Sequence, residues 1–444
     1  MLNYKSVRIL NIGLLCVALS GCGLFGKDKP VIEGDRIAFL DNGGILQPDF
    51  QEGTYKINLP EAVTNISWNQ EGGNATHDMG HLNSADVISE LWDESFGKGS
   101  SKRDILISSP VVQNRVIYTI DAEANVSAFN LDDGDELWNV ELERKIESND
   151  DVSMKGAGIA VWRDKVFATT GYGSVFALDA SNGAEIWRFD NEVPFRIAPT
   201  VSSKYIFAQT LDNTLFALDA NSGHELWKYK SIQENTTLVG GASPAFDEGL
   251  DVVVAAFSNG ELRAIKASTG TPLWSVLMVS RKRMNSLASI NTIKANPVIN
   301  DGVVYAAGNN HVMMAIDLRT GTPIWEREIS CNSQPWVAGK VLYALSNDAN
   351  LFAIEKKTGR IIWSTKIPLG KDASELSGAF ASGPVLTGYR LIVTSSKGYA
   401  FAVSPFSGKI LGFIDLDEEV NSSPIVAEDI VLFTTNDAEL IAYK

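Results

Sequence analysis

Cysteine and histidine are scarce in this sequence. Its 444 residues include three cysteines and four histidines. Few general bases are therefore available, and the pair His77 and His81 lies in a glycine-containing stretch with too few further metal ligands nearby. The sequence also lacks the motifs Gly-x-Ser-x-Gly, Gly-x4-Gly-Lys-Ser/Thr, His-Glu-x-x-His and Cys-x-x-Cys-His. We expect no catalytic residue, no metal and no cofactor.

Long hydrophobic runs are also lacking. The apolar stretch 9–18 follows Lys5 and Arg8 and is too short to span a bilayer permanently. It is followed by Leu-Ser-Gly-Cys at 19–22, which resembles the bacterial lipobox. We therefore predict a lipoprotein signal peptide over residues 1–21 and lipidation of Cys22; a plain signal peptide with a chance cysteine is the alternative. Gly23, where an aspartate resembles an inner-membrane retention signal, favours the outer membrane.

An excess of positive charge is absent. The formal net charge is −16, and removal of residues 1–21 leaves 38 − 2 = 36 basic and 54 acidic side chains, or −18. This balance argues against nucleic acid and against adsorption to anionic lipid. Residues 22–58 are predicted to be the lipidated cysteine and a periplasmic tether. Beyond Cys22 only Cys331 remains, so we expect no internal disulfide and a buried, inert thiol.

What the sequence does contain is a repeat. An alanine, a turn with a glycine six residues later, and a tryptophan four residues after the glycine recur along the chain. The glycines of the seven copies, the last of which has Gly412 in place of tryptophan, are Gly134, Gly183, Gly223, Gly270, Gly321, Gly359 and Gly408. Spacings of 38 to 51 residues between strand-like segments such as 165–170, 174–178 and 303–307 are typical of β-propeller blades. Tryptophan is expected to fill the wedge between blades, and the small alanine makes room for it.

A second repeat gives the number of blades. Small residues before a proline recur at Pro110, Pro199, Pro244, Pro297, Pro335, Pro384 and Pro424, and Gly156-Ala157-Gly158 forms an eighth opening without proline. Eight openings against seven complete motifs leave one blade unfinished at the C-terminus. We predict an all-β, eight-bladed propeller of four-stranded antiparallel blades over residues 59–444. The N-terminal strand, placed at 63–68 with Trp68, should complete the C-terminal blade and close the ring.

Two neighbouring inter-blade connections form the candidate partner surface. The connections that end at Pro244 and Pro297 are 17 and 23 residues long and should project side by side from one face. The longer connection contains Arg281, Lys282, Arg283 and Lys294, a positive cluster on an acidic protein, with apolar residues beside it. A merely solvated loop is the alternative for this stretch.

The repeat resembles the PQQ-like repeat of pyrroloquinoline-quinone dehydrogenases. Those enzymes are longer, and they hold their quinone with a vicinal disulfide, a tryptophan floor and a calcium ion. A mature chain with one unlipidated cysteine has no such disulfide. The resemblance therefore implies the fold, and a quinone-dependent dehydrogenase is the alternative.

The combination of lipobox, tether and eight blades resembles the BamB family of outer-membrane assembly factors, particularly its alphaproteobacterial type. Residues 68–74 (Trp-Asn-Gln-Glu-Gly-Gly-Asn) and 79–82 (Met-Gly-His-Leu) are similar to that group's N-terminal signature. The resemblance implies a non-enzymatic scaffold, a lipid-anchored monomer on the periplasmic face of the outer membrane within a hetero-complex. A generic envelope propeller that binds a glycan or another protein is the alternative.

The same resemblance implies a partner and contact residues. The partner would be the periplasmic POTRA domains of BamA, bound through the two adjacent connections. In the first connection the family's apolar–arginine pair corresponds to Leu238 and Val239, so the arginine is absent. In the second, the family's Asp-x-Asp corresponds to Thr292 and Lys294 around Ile293, so both acids are absent.

Overall fold

The computed structural model describes residues 46–85, 89–102, 104–142, 155–233, 240–279, 291–370 and 378–444. The chain divides into two compact units, Met1–Leu46 and Gln47–Lys444. The strands of the described residues belong to the second unit and form eight four-stranded antiparallel sheets. Among the described residues there is no helix, and hence none long and apolar enough to cross a membrane.

Each sheet is one blade. In blades 1 to 7 the strands follow the chain from the axis of the ring to the rim, and in blade 8 the rim strand is β1. The strands of blades 1 to 4 are β2 (Val111–Gln113), β3 (Val116–Ile120), β4 (Asn125–Asn130), β5 (Glu136–Glu141); β6 (Gly156–Trp162), β7 (Lys165–Thr170), β8 (Ser174–Asp179), β9 (Glu185–Asp190); β10 (Thr200–Val201), β11 (Tyr205–Gln209), β12 (Thr214–Asp219), β13 (Glu225–Lys230); β14 (Ala245–Asp247), β15 (Val252–Ala256), β16 (Glu261–Lys266), β17 (Thr271–Leu277). Those of blades 5 to 8 are β18 (Val298–Asn300), β19 (Val303–Ala307), β20 (Met313–Asp317), β21 (Pro323–Arg327); β22 (Trp336–Ala338), β23 (Val341–Leu345), β24 (Asn350–Glu355), β25 (Ile361–Lys366); β26 (Ala381–Thr387), β27 (Arg390–Ser395), β28 (Tyr399–Val403), β29 (Ile410–Asp415); β30 (Ile425–Ala427), β31 (Ile430–Thr434), β32 (Glu439–Tyr443), β1 (Glu90–Ser95).

Ring closure is confirmed, but the strand predicted to close the ring is wrong. Blade 8 has the order β1-β32-β31-β30, so an N-terminal strand does complete the C-terminal blade. That strand is Glu90–Ser95, whose Trp92 lies opposite Ala442. The segment 63–68 instead lies on the axis, where Trp68 pairs with Val112 of blade 1. Glu90-Leu91-Trp92 repeats the Glu-Leu-Trp of β5 and β13 without the preceding glycine. That glycine belongs to the hairpin turn before the rim strand, and β1 is not preceded by another strand of its own blade.

The predicted rim packing is confirmed. In blade 3, Ala217 lies directly opposite Trp227 across the β12–β13 pair. The turn between them is closed by a 2.9 Å bond from the amide of Gly223 to the carbonyl of Asp219. Gly223 has φ +72°, and a Cβ there would lie 2.5 Å from the Trp187 ring of the preceding blade. The glycine is therefore needed both for the turn and for the neighbouring tryptophan.

The same contact recurs at seven blade junctions. Each turn glycine lies against the rim tryptophan of the preceding blade, in the pairs Gly134–Trp92, Gly183–Trp138, Gly223–Trp187, Gly270–Trp227, Gly321–Trp274, Gly359–Trp325 and Gly408–Trp363. Six of these indoles also donate a hydrogen bond to a backbone carbonyl of the next blade. The eighth junction has Gly412 in the tryptophan position, and nothing lies within 4 Å of the place its Cβ would occupy.

Residues 63–83, here called the axial loop, close one end of the ring. The loop joins its own ends, since the amide of Val63 donates to the carbonyl of His81 and the amide of Asn83 donates to the carbonyl of Val63. Along its length it hydrogen-bonds every blade in turn, beginning with blade 8. The bonded pairs are Asn65–Glu428, Trp68–Val112, Asn69–Val161, Gln70–Val201, Ala75–Phe246, Thr76–Ile299, Gly80–Trp336 and Leu82–Gly388.

Two glycines allow the axial loop to turn this tightly. Gly72 and Gly73 have φ values of +73° and +93°. A Cβ on Gly72 would lie 2.4 Å from Oε1 of Gln334, and one on Gly73 would lie 2.4 Å from Sδ of Met79. Residues similar to the N-terminal signature of the family are thus the residues that pack the axis.

The stretch before the axial loop also contacts the ring. The amide of Asp49 donates to the carbonyl of Ile361 on the outer strand of blade 6. Its carboxylate accepts from Arg327, and Arg360 lies 3.9 Å from the ring centroid of Phe50. Residues 49 and 50, predicted to belong to the tether, therefore contact blades 5 and 6.

Candidate functional site

The connections between blades and the second hairpin of each blade share one face of the ring, here called the connection face. The first and third hairpin turns lie on the opposite face, here called the turn face. On the connection face a cavity of about 470 Å³ opens along the axis. Its floor is the axial loop, through Trp68, Glu71 and Gly72, and its walls are the residues that precede each innermost strand.

The predicted small residues before the innermost strands form these walls. Ser109, Ala198, Ser243, Ser333 and Ser423 line the cavity from five different blades. Their side chains are short, so eight strands can approach the axis and still leave an open space. The lining is otherwise rich in uncharged polar groups, supplied by Asn296, Asn332, Gln334, Asn347, Asn421 and Asn436.

Glu71 is the acidic residue of the described lining. Its carboxyl lies on the floor, where a hydrogen bond to the side chain of Ser109 partly offsets the loss of hydration. Desolvation is the larger effect and raises its pKa. The protonated, neutral form is therefore easier to reach here than on the protein surface.

Two cations line the same cavity. Arg196 precedes blade 3 and Lys294 precedes blade 5. Desolvation lowers the pKa of both. Arg196 is half-buried and Lys294 is exposed, and the surrounding protein removes part of the hydration of each. Among the described residues, neither cation has an ion-pair partner.

The predicted contact residues fall into two groups. Leu238, Val239, Arg281, Lys282 and Arg283 lie outside the described residues. Lys294 is exposed and lines the cavity. Thr292 is 2% exposed, and its hydroxyl lies 3.4 Å from the carbonyl of Ser258. Lys294, rather than Thr292, can therefore contact a partner directly.

The two histidines of the axial loop are buried and hold the loop in place. His77 has its Nδ1 2.7 Å from the carbonyl of Pro297, and burial lowers its pKa from 6.5 to about 4. The two ring nitrogens of His81 lie within hydrogen-bond distance of the carbonyl oxygens of Pro60 and Gly388. Among the described residues no group of three or more histidine, cysteine or carboxylate side chains could hold a metal ion.

Sequence reasoning missed Arg196 and Glu71. Arg196 lies three residues before Pro199, as Lys294 lies three residues before Pro297. That shared spacing is the signal that could have paired the two cations. Glu71 has no such signal, because only the folded axial loop brings it to the floor of the cavity.

Cys331 is buried, as predicted. It is the one free cysteine of the described chain, it is fully buried, and burial raises the pKa of its thiol. The described lining of the axial cavity contains no cysteine. A quinone clamped by a vicinal disulfide therefore has no counterpart in this cavity.

Comparison with known proteins gives a consistent family. A family profile described as outer membrane protein assembly factor BamB matches residues 122–365 and 369–444. The protein of that name from Yersinia pestis is 25% identical over 441 residues, 98% of each chain. The one from Salmonella typhimurium is 29% identical over 79% of this chain and 88% of its own.

Solved structures show the same fold. The crystal structure of BamB from Moraxella catarrhalis superposes with a TM-score of 0.68 at 20% identity, over 81% of this chain and all of the other. The quinohemoprotein alcohol dehydrogenase from Comamonas testosteroni gives 0.63 at 13% identity, over 86% and 81%. At these identities the structures establish the propeller alone. The family rests on the profile, which covers well over half of the sequence: this chain belongs to the family of the outer-membrane protein assembly factor BamB.

Proposed function

We propose that this protein is a non-enzymatic, lipid-anchored scaffold of the outer-membrane β-barrel assembly machinery. It binds the periplasmic POTRA domains of BamA through adjacent inter-blade connections and so assists the insertion of outer-membrane proteins. The family match supports the role in assembly. The observation that carries the binding mode is the connection face, where the described ends of the connections before Pro244 and Pro297 line an open axial cavity through Gly240, Gly241, Lys294 and Asn296.

The build of the ring suits a scaffold. Neighbouring blades are held together by seven repeated tryptophan–glycine contacts. The axial loop is hydrogen-bonded to all eight blades. A rigid face loses little conformational entropy when a partner docks on it. The variable connections around that face supply specificity, because each differs in length and charge.

Lipid anchoring follows from the lipobox at 19–22. Acylation of Cys22 would hold the propeller at the periplasmic face of the outer membrane, and several acyl chains on one cysteine give firm attachment. With residues 1–21 replaced by a signal peptide that is cleaved without lipidation, the Cys22→Ser protein should appear in the soluble periplasmic fraction. The Cys331→Ser variant with its own signal peptide should stay in the membrane fraction. Membrane attachment of the Cys22→Ser protein would contradict the anchor.

The partner is tested by a pull-down with the periplasmic domains of BamA from the same organism. The bait is the mature chain with Cys22→Ser, so that it stays soluble. Its variants are Leu238→Asp and the triple change of Arg281, Lys282 and Arg283 to Glu. We expect binding to the parent chain and loss of binding in both variants, since an apolar anchor and a charged rim are removed in turn.

A matched control carries the same charge change on the turn face. Lys204, Arg319 and Lys409 lie exposed in turns of that face, and their change to Glu should leave binding intact. Loss of binding in this control would mean that net charge alone is responsible. Binding that survives both test variants would move the site elsewhere on the ring, and no binding to the parent chain at micromolar concentration would favour a propeller with a different envelope partner.

A further inference from the structure

Arg196 and Lys294 are the two cations of the described cavity lining. Some cations elsewhere on the ring pair with carboxylates, for example Arg115 with Asp132 and Lys356 with Asp301. Arg263 pairs with Glu261 on the third strand of blade 4 in the same way. Arg196 and Lys294 lack such partners among the described residues, although the chain has 54 acidic side chains.

The two cations are held on either side of one short segment. A Cβ on Gly240 would lie 3.6 Å from Cε of Lys294, and a Cβ on Gly241 would lie 2.9 Å from Cγ2 of Ile197, the neighbour of Arg196. Both glycines line the cavity together with the two cations. The absence of side chains there lets this segment pass close to both neighbouring blade openings.

Nothing in the described lining neutralises this pair. Glu71 is the one carboxyl group on the described wall or floor, and it is hydrogen-bonded to Ser109. Burial raises the pKa of that carboxyl, which favours its neutral form more than water does. Unpaired, partly desolvated cations attract an anion more strongly than hydrated surface cations do.

We propose that the axial cavity binds a carboxylate or a similar oxyanion between Arg196 and Lys294. Arg196 offers a planar guanidinium suited to two parallel hydrogen bonds, and Lys294 offers a compact ammonium near the mouth. The amide side chains of the wall supply further donors, and the cavity of about 470 Å³ admits a short acidic segment or a small dianion. The site stands on the lining residues alone and requires no particular protein partner.

Calorimetric titration of the mature Cys22→Ser chain tests the site. The probes are a hexa-aspartate peptide, succinate and inorganic phosphate. We expect at least one probe to bind, each of Arg196→Gln and Lys294→Gln to weaken it about tenfold, and the double variant to abolish it. Lys204→Gln, an exposed lysine of the turn face, is the matched control and should bind as the parent does.

The probes separate the two sources of the anion. Binding of the peptide without competition by succinate or phosphate means that the site takes an acidic segment of a protein. Binding of succinate or phosphate in competition with the peptide means that it takes a free small anion. No binding of any probe at millimolar concentration, or equal binding by the double variant, would overturn the proposal.

Folding is checked by the urea midpoint of each variant. If the double variant does not fold, the exposed Lys294→Gln decides the question alone. The outcome is distinct from that of the pull-down, because the titration contains no partner protein.

Discussion

The rim and the axis of this ring are held together in opposite ways. At the rim, one contact between a tryptophan and a turn glycine is repeated at seven junctions. On the axis, the single loop of residues 63–83 contacts eight blades, with a different residue for each. Repetition makes the rim tolerant of a missing copy, as Gly412 illustrates, whereas the axial loop has no second copy of any contact.

Trp68→Ala, on the axis, should lower the free energy of unfolding most. Trp68 is 4% exposed, stacks on Trp336 at 6.3 Å and is bonded through its backbone to Val112. Its removal enlarges the axial cavity and deletes the contact with Trp336, so it should lower the free energy of unfolding by about 4 kcal/mol. Urea denaturation measures the loss.

The control for that change is Trp138→Ala at the rim, where the indole is half-buried. Removing it disturbs one of seven equivalent junctions, and we expect a smaller loss of about 2 to 3 kcal/mol. A smaller loss of stability for Trp68→Ala than for Trp138→Ala would contradict the view that the axis is less tolerant than the rim.

Gly223→Ala should be the next most severe. The φ of +72° disfavours alanine, and the new Cβ would lie 2.5 Å from Cε3 of the Trp187 ring. Gly302→Ala isolates the first effect, because Gly302 has φ +73° with nothing within 4 Å of its Cβ position. We expect losses of about 3 and about 1 kcal/mol in urea denaturation. Equal losses would show that the tryptophan contact contributes nothing.

The axis, but not the rim, should be sensitive to mild acid through His77. Burial lowers its pKa from 6.5 to about 4, so between these values the unfolded chain binds the proton that the folded chain excludes. Stability is then fully present above pH 6.5 and falls as the pH falls toward 4, by about 2 kcal/mol between pH 7 and pH 5.

The check is urea denaturation of the parent chain and of His77→Gln at both pH values. The substitution should remove this part of the pH dependence. The exposed His224→Gln, in the turn of blade 3, should leave it unchanged. A parent chain and a His77→Gln variant with the same dependence would show that His77 titrates as it does in water.

The smallest effect should come from the junction that lacks its tryptophan. Gly412 lies on the outer strand of blade 7 opposite Ala402, with an ordinary strand φ and free space at its Cβ position. Gly412→Ala reduces the freedom of the unfolded chain without a clash, so it should raise the free energy of unfolding by about 0.5 kcal/mol. A measured loss of stability would mean that the gap at this junction is needed.

The rim could be predicted from sequence because its signal is repeated. The strands predicted at 165–170 and 303–307 match β7 and β19, and the alanine–tryptophan pairing across the outer strands was expected from residue size. Trp92 escaped notice because its strand lacks the preceding turn glycine. One missing residue type was enough to place the closing strand at 63–68 instead of Glu90–Ser95.

The axis could not be predicted because its contacts are all long-range and each occurs once. Nothing local to residues 68–74 indicates that successive residues bond to blades 1, 2 and 3. The cavity has the same limitation, since Glu71, Arg196 and Lys294 are brought together by the ring and not by sequence spacing. The connection face, by contrast, could be predicted, because a chain that passes through four antiparallel strands enters and leaves each blade on the same face.

Whether a partner docks on the connection face can be measured by hydrogen–deuterium exchange of the mature Cys22→Ser chain with and without the periplasmic domains of BamA. We expect slower exchange in the connections that end at Pro244 and Pro297, and unchanged exchange in turn-face segments around Lys204 and Arg319. Protection confined to the turn face, with the connections unaffected, would contradict it.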